Sequence, residues 1–505
     1  MLVGFQTKFT AHFRLASGIS GRFQQERTPQ YAEEFLKMKS SIRLTLLAAS
    51  LALSTSASTC AATTELSERG FDTAFNYVSV PENRADPDTR DINVAYLRMQ
   101  GASDGVPTFV FFGGPGESAT DYGSLESLRG AFGHLLASAD VVFIEQRGVG
   151  ASRPNLDCEP VSFPLDRAVT VEAVIDAHAE ILPACVAAAG TDMRGYTTAS
   201  IADDADAIRQ TLGYDRINLS GGSYGAQQAY FYIRRHSEHV NRAVLTQFLV
   251  PGTSLAMPST IDSYVVELGE RLGPAFGHPE GGGEVLASLM ATVFEAAEET
   301  PVEISLGEVS LTAGRTDLEI ITSLAMRRTR ESWLLPFLFS QMSAGDFGFV
   351  GQAMLQFYRQ GLPVNAAVIA LDCADQTNSL RRARFEEEAA SALTGFGSHL
   401  PFPGACDAFE HGSVEQQIMT HAGVGGVPTL FIQGELDARA RDENLGPLLA
   451  NSESARLLVI GNATHDLGRS ASSTIGARLD AIEAGFLFYG DWPDSNRIDV
   501  PLELD

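Results

Sequence analysis

Asp215-Arg216-Ile217-Asn218-Leu219-Ser220-Gly221-Gly222-Ser223-Tyr224-Gly225-Ala226-Gln227-Gln228-Ala229-Tyr230 is the stretch on which the reading of this chain turns. Arg216 to Leu219 reads as a strand, and a helix follows to about His236. Between them lies Gly221-x-Ser223-x-Gly225. A nucleophilic serine on a sharp strand-to-helix turn needs neighbours without side chains, so that its hydroxyl projects from the sheet. In a chain with 47 glycines such a pattern is weak alone, and its place between strand and helix is what gives it weight.

The same alternation extends to both sides. Upstream, Ile92 to Met99 alternates like a strand, Thr108 to Phe112 and Asp140 to Ile144 are short buried-strand runs, and Ser200 to Leu212 places Ile201, Ala205, Ile208 and Leu212 on one helical face. Downstream, Val240 to Leu245, Val427 to Ile432 and Arg456 to Ile460 read as strands, and Ser473 to Phe486 as a closing helix. Strands alternating with helices imply a parallel sheet covered on both faces. From roughly Gly252 to Val424 the strand rhythm is lost to helical stretches such as Glu284 to Glu299 and Arg382 to Leu393. The expected fold class is therefore α/β, with core segments 63–251 and 425–505 interrupted by a helical insertion, residues 252–424, lying over the sheet as a cap.

The 505 residues are 44% hydrophobic and 20% charged, which excludes a disordered chain and a polytopic membrane protein. A net charge of −27 argues against nucleic acid as a partner, because phosphate binding needs a basic face. Met38-Lys39-Ser40-Ser41-Ile42-Arg43, the apolar run Leu44 to Leu53 and small residues through Ala62 have the order of a secretory signal. The run is too short to span a bilayer, so stable membrane insertion is not expected. Residues 38–62 are thus read as a signal peptide, with residues 1–37 upstream of the true start and the product periplasmic or secreted. Lipidation at Cys60 is not expected, since Ala57-Ser58-Thr59 lacks a large aliphatic residue. Four cysteines remain beyond Ala62, namely Cys158, Cys185, Cys373 and Cys406. In an exported chain they suggest two disulfides, and of three possible pairings the sequence-near ones, Cys158–Cys185 and Cys373–Cys406, are favoured. No C-x-x-C or H-E-x-x-H occurs, so no metal is expected.

Chemistry gathers at the expected strand ends. Phe112-Gly113-Gly114-Pro115-Gly116 follows an early strand, and a backbone N–H from such a turn, together with one from the residue after the nucleophile, can hold a tetrahedral oxyanion. Pro115 has no N–H, which assigns Gly114 and Tyr224. Asp437 and His465 follow the two late strands, and chain order Ser, Asp, His is that of α/β-hydrolases, where the acid fixes the imidazole tautomer and the imidazole takes the serine proton. Glu435 is the rival acid.

Gly113-Gly-Pro-Gly116, Glu145-Gln-Arg-Gly-Val-Gly-Ala-Ser152, Asp203-Asp-Ala-Asp-Ala-Ile-Arg209 and Gly221-Gly-Ser-Tyr-Gly225 together resemble the proline iminopeptidase family, and more closely its exported tripeptidyl-aminopeptidase branch. Asp372-Cys373-Ala374-Asp375 is similar to a segment that this branch carries at the end of its cap. The resemblance implies an α/β-hydrolase fold with a helical cap, acting on unblocked N-termini. Phe112 stands where the family has His, Glu145 where it has Asp, and the loop Asp437-Ala-Arg-Ala440 lacks the family's frequent proline.

The expectation is an exported serine hydrolase with nucleophile Ser223, base and acid His465, orienting Asp437 and oxyanion donors Gly114 and Tyr224, working through an acyl-enzyme without cofactor. Its substrate would be a peptide with a free N-terminus; a carboxylesterase of small or lipidic esters is the alternative, and a non-catalytic binding protein a third. A free N-terminus calls for a carboxylate, since a desolvated unpaired cation is costly. Asp372 and Asp375 are the candidates, ahead of Glu295, Glu298 and Glu299, which suit a solvated helix face. Arg147 is read as tying loops together near the site. Nothing in the sequence sets the oligomeric state.

Overall fold

A computed structural model describes residues 70–71, 74–253, 255–359, 361–375, 379–397, 400–401, 404–413, 423–441 and 445–502. The expected signal segment 38–62, Cys60 and the upstream stretch 1–37 lie outside the described residues.

The thirteen strands of the described residues are β1 (Phe75–Pro81), β2 (Asp91–Met99), β3 (Thr108–Phe111), β4 (Val141–Ile144), β5 (Asp157–Val161), β6 (Ile217–Gly222), β7 (Val240–Thr246), β8 (Val302–Leu306), β9 (Val309–Ala313), β10 (Leu362–Asn365), β11 (Thr429–Gly434), β12 (Ala455–Gly461) and β13 (Arg497–Asp499). Nine form one sheet in the order β1-β2-β4-β3-β6-β7-β11-β12-β13. Strand β2 runs antiparallel to β1 and β4, and every pairing from β4 to β13 is parallel. The order reverses at β3: the chain steps from β3 to β4 on one side and then to β6 on the other. Such a switch opens a crevice at the carboxyl ends of the two strands, which here are Phe112–Gly116 and Ser223.

The sequence explains the layers. All four residues of β3 and of β4 are buried, as are all six of β11, because helices cover both faces and leave no reason for polar alternation. Phe109 and Phe111 belong to one apolar cluster and Val110 and Phe112 to another, one cluster on each side of the sheet. Helix α1 (Val171–Ala189) precedes α2 (Thr198–Leu212), which starts on the Thr197 side chain accepting the Ser200 N–H and stops at left-handed Gly213. The buried face of α2 carries Ile201, Ala205 and Ile208. Helix α3 (Tyr224–His236) starts at the serine turn.

Between β7 and β11 lie α4 (Pro258–Leu272), α5 (Gly282–Glu299), α6 (Arg315–Ala325), α7 (Ala366–Asp375) and α8 (Ser379–Ala389), and after β12 comes α9 (Ser473–Ala484). This stretch is not purely helical: β8 and β9 form a hairpin around Gly307, and β10 pairs antiparallel with β5. Both are short, largely half-exposed strands whose apolar residues are too few to stand out in the sequence. Helix α8 stops at Ala389, four residues before the expected end at Leu393, where the chain turns so that Leu393 and Thr394 donate their N–H groups to Asp262. Both sequence-near disulfides form, Cys158–Cys185 joining β5 to α1 and Cys373–Cys406 joining α7 to the turn Gly404–Ala408. With sequence separations of 27 and 33, each removes about 3–4 kcal/mol of freedom from the unfolded chain.

The serine turn tolerates no side chain on either flank. A Cβ on Gly225 would lie 2.1 Å from the Phe111 carbonyl oxygen, and one on Gly221 would lie 2.4 Å from the Gly225 carbonyl oxygen. Gly225→Ala is therefore expected to cost more than about 3 kcal/mol in urea denaturation, while Gly130→Ala, exposed in its helix with open space around it, gains up to about 1 kcal/mol. Equal effects of the two substitutions would remove the steric argument.

Candidate active site

Ser223 sits at φ 57°, ψ −123°, a conformation that costs a residue with a side chain of order 1–3 kcal/mol. It is held there by its N–H to the Thr246 carbonyl of β7 (2.9 Å) and by its own carbonyl accepting the Ala226 N–H (3.1 Å). His465, four residues beyond β12, places Nε2 2.8 Å from Ser223 Oγ and Nδ1 2.7 Å from Asp437 Oδ2. A carboxylate oxygen only accepts, so Nδ1 carries the proton and Nε2 is left to accept from the serine hydroxyl. Asp437 is fully buried, and its other oxygen accepts the N–H groups of Arg439 (2.8 Å) and Ala440 (2.9 Å).

The histidine loop is braced by residues from between β7 and β11. Buried Thr329 accepts the Thr464 N–H (2.9 Å), donates its own N–H to Asp466 (3.0 Å) and shares its hydroxyl with the same carboxylate. Trp333 Nε1 donates to the Asn462 carbonyl (3.2 Å). Rival Glu435 faces elsewhere. It binds Arg497 through two bonds (2.8 and 2.9 Å), Arg271 (2.8 Å) and the Asn462 N–H (3.2 Å), and these partners hold its carboxyl at about 2 against the cost of burial.

The glycine loop after β3 is held from below. Gln146 Nε2 donates to the carbonyls of Phe112 (3.2 Å) and Gly113 (3.0 Å), its Oε1 accepts the Gly116 N–H (3.0 Å), and Gln228 also donates to Phe112 (3.0 Å). The Gly113 N–H goes to Glu117 (3.1 Å). Gly114 has no acceptor for its N–H among the described residues, and Tyr224, first in α3, has none within its helix. Phe112 stacks on Phe143 at 5.8 Å, and Glu145 is buried beneath the loop, where its carboxyl accepts the Ala119 N–H (2.8 Å) and is pushed up to about 7 by burial. Arg147 binds Asp204 through two bonds (2.8 and 2.7 Å) and the carbonyls of Glu82 and Gly195, a tie between loops.

A cavity of about 560 Å³ opens over these groups, lined by Ser223, His465, Gly114, Glu117, Arg327 and Arg439 among others. The acids singled out in the sequence are spread apart. Asp375 is buried and accepts from Gln227 (2.7 Å) and the Gly252 N–H (3.1 Å). Asp372 feels the pull of Arg439 and Arg327 through space, but burial outweighs it and pushes the carboxyl up to about 7. Glu295, Glu298 and Glu299 are exposed on α5, with Glu298 paired to Arg315 (3.0 Å). Sequence reasoning missed Glu117, Arg327 and Arg439. Glu117 carried a signal, a carboxylate directly after Gly-Gly-Pro-Gly; Arg327, in Arg327-Arg328-Thr329-Arg330, carried none.

Residues 107–265 match a family model described as the alpha/beta hydrolase fold. The chain is 29% identical to serine protease Hip1 of Mycobacterium tuberculosis over 185 residues, 33% of this chain and 34% of that protein. It is 29% identical to a tripeptidyl aminopeptidase of Streptomyces lividans over 195 residues, 35% of each chain. Over 190 residues, 38% of this chain and 45% of the other, it is 27% identical to a proline iminopeptidase of Neisseria meningitidis. The matched stretch thus spans about a third of the length of the first two relatives.

The Glu435 pairs carry a pH signature. Its folded value of about 2 lies below the ordinary 4.5, so the stability it contributes is present above pH 4.5 and lost as pH falls from 4.5 toward 2. Glu435→Gln is expected to lower stability at pH 7 by about 1 kcal/mol, and the two proteins should converge in denaturant melts by pH 2. A gap that persists at pH 2 would assign the loss to packing instead.

Proposed function

We propose that this chain, which carries the α/β-hydrolase fold, is a serine hydrolase that removes residues from free peptide N-termini. The observation that carries the reading is the hydrogen-bonded series Ser223–His465–Asp437 at three strand ends under one cavity. In the proposed cycle Ser223 Oγ attacks the scissile carbonyl as its proton passes to His465 Nε2. The oxyanion that forms accepts from the Gly114 and Tyr224 N–H groups, each such donor being worth about 10²–10³ in rate. His465 then protonates the leaving amine, and an acyl group remains on Ser223. Water, deprotonated by His465, attacks the ester, and the acid product leaves with the serine hydroxyl restored. Asp437 keeps the imidazole in its tautomer and stabilises the imidazolium.

The names of the relatives favour peptides over esters, and the charge on the cavity wall agrees. Glu117 opens into the cavity next to the oxyanion loop and, among the described residues, has only the Gly113 N–H as hydrogen-bond partner. Burial raises its pKa, and an ammonium group would relieve that cost. In an aminoacyl substrate the α-nitrogen lies only about 2.5 Å from the scissile carbon, so a carboxylate on this loop suits release of one residue at a time. Export to an oxidising compartment is part of the proposal, supported by the signal-like segment and by the two disulfides.

The test compares aminoacyl anilides with free and acetylated N-termini, and nitrophenyl esters of increasing length. Free anilides should be cleaved and acetylated ones not, with Ser223→Ala lowering kcat by about 10³ or more. Glu117→Gln should raise KM for the free anilides about tenfold. Turnover of esters alone would replace the peptidase reading with an esterase.

A further inference from the structure

Charges on the cavity wall are mostly paired. Arg469 binds Asp480 (2.9 Å), Glu483 binds His134 (3.1 Å) and Ser220 (2.5 Å), and His465 binds Asp437 (2.7 Å). Arg327 and Arg439 are different. Both line the cavity with Ser223, and neither guanidinium has an ion pair or a hydrogen-bond acceptor among the described residues. Arg439 together with burial holds Arg327 down at about 9, below the ordinary arginine value. The carboxylates that act on Arg327 through space are those of Asp372 and Glu117, and burial raises the pKa of both, Asp372 to about 7.

Their placement is tied to the catalytic groups. Arg439 lies two residues beyond Asp437, and its own N–H donates to Asp437 Oδ1 (2.8 Å). Arg327 lies two residues before Thr329, whose bonds to Thr464 and Asp466 hold His465 from both sides.

We infer that Arg327 and Arg439 form an anion subsite of the catalytic cavity that takes a carboxylate of the substrate. Guanidinium groups present paired donors that match a carboxylate, and two that line one cavity with no ion pair or hydrogen-bond acceptor among the described residues are free to take one. Resting on the peptidase reading, this names the substrate class: short peptides with a carboxylate in reach of the scissile bond, either the free C-terminus or an acidic side chain. A cavity of about 560 Å³ suits a ligand of that size. Glu117 would meet the ammonium end and the arginine pair the anionic one.

The experiment uses the purified full chain with Ala-Ala-Ala, its C-terminal amide, and Ala-Glu-Ala amide, following released alanine. The wild type should favour Ala-Ala-Ala over its amide about tenfold in kcat/KM, mainly through KM. That ratio should fall close to one in Arg327→Gln and in Arg439→Gln, and survive in part in Arg327→Lys. Preference for Ala-Glu-Ala amide over Ala-Ala-Ala amide would support the subsite with a side-chain carboxylate as its ligand. Equal kcat/KM on all three in the wild type would overturn the inference. A nitrophenyl acetate burst separates the two levels: if esters acylate Ser223 but no peptide is cleaved, the peptidase reading fails. The subsite is then read from nitrophenyl hemisuccinate against nitrophenyl butyrate, where a ratio near one overturns it as well. Failure to acylate at all would overturn the hydrolase reading itself.

Discussion

The rest of the site depends on one close approach, the backbone of Gly225 against the carbonyl of Phe111. Helix α3 can start directly after β6 because Gly225 has no Cβ, which would otherwise lie 2.1 Å from the Phe111 carbonyl oxygen. The contact brings the end of β6 against the end of β3, so the serine turn and the glycine loop face the same crevice. From it follow the positive φ of Ser223 and the start of α3 directly beside that residue. The strain at Ser223 is sustained by the β7 ladder on one side and the helix on the other.

Second in importance is how the histidine is held. Its ring is oriented by a buried acid whose second oxygen is saturated by two backbone N–H groups, so the carboxylate has little freedom to turn. Its loop is fixed through Thr329. The electrostatics around it are sorted by partner: Glu435 is taken by two arginines and drops out of the competition for His465, whereas Asp437, with no arginine paired to it among the described residues, is left to the imidazole.

What the sequence made legible follows from physical periodicity. Strands β3, β4 and β11 stood out because burial on both faces makes them nearly uniform apolar runs, and β12 through its run Leu457–Ile460; the acid and histidine stood out because each follows such a run, and the serine because glycines flank it after β6. Strands β5, β8, β9 and β10 did not, since half-exposed pieces of four or five residues carry too few apolar positions to show a period. The cysteine pairing was legible from spacing alone. Side chains whose meaning depends on a partner far along the chain were not. Asp375 looked as suitable for substrate as Asp372, and only three-dimensional packing commits it to Gln227 and Gly252. Arg327 is one arginine among three in four residues, and nothing local distinguishes the one that reaches the cavity.

Thr329 has an evolutionary consequence. In many enzymes the elements that choose a substrate can be exchanged while the reacting centre is left alone. Here a residue from the stretch between β7 and β11 supplies bonds on both sides of His465, so that stretch is part of what holds the site together. A chimera that swaps it for a foreign segment would have to bring a matched hydroxyl for Thr464 and Asp466. Lineages carrying this arrangement should therefore diversify by point changes on the cavity wall more readily than by exchange of the whole segment.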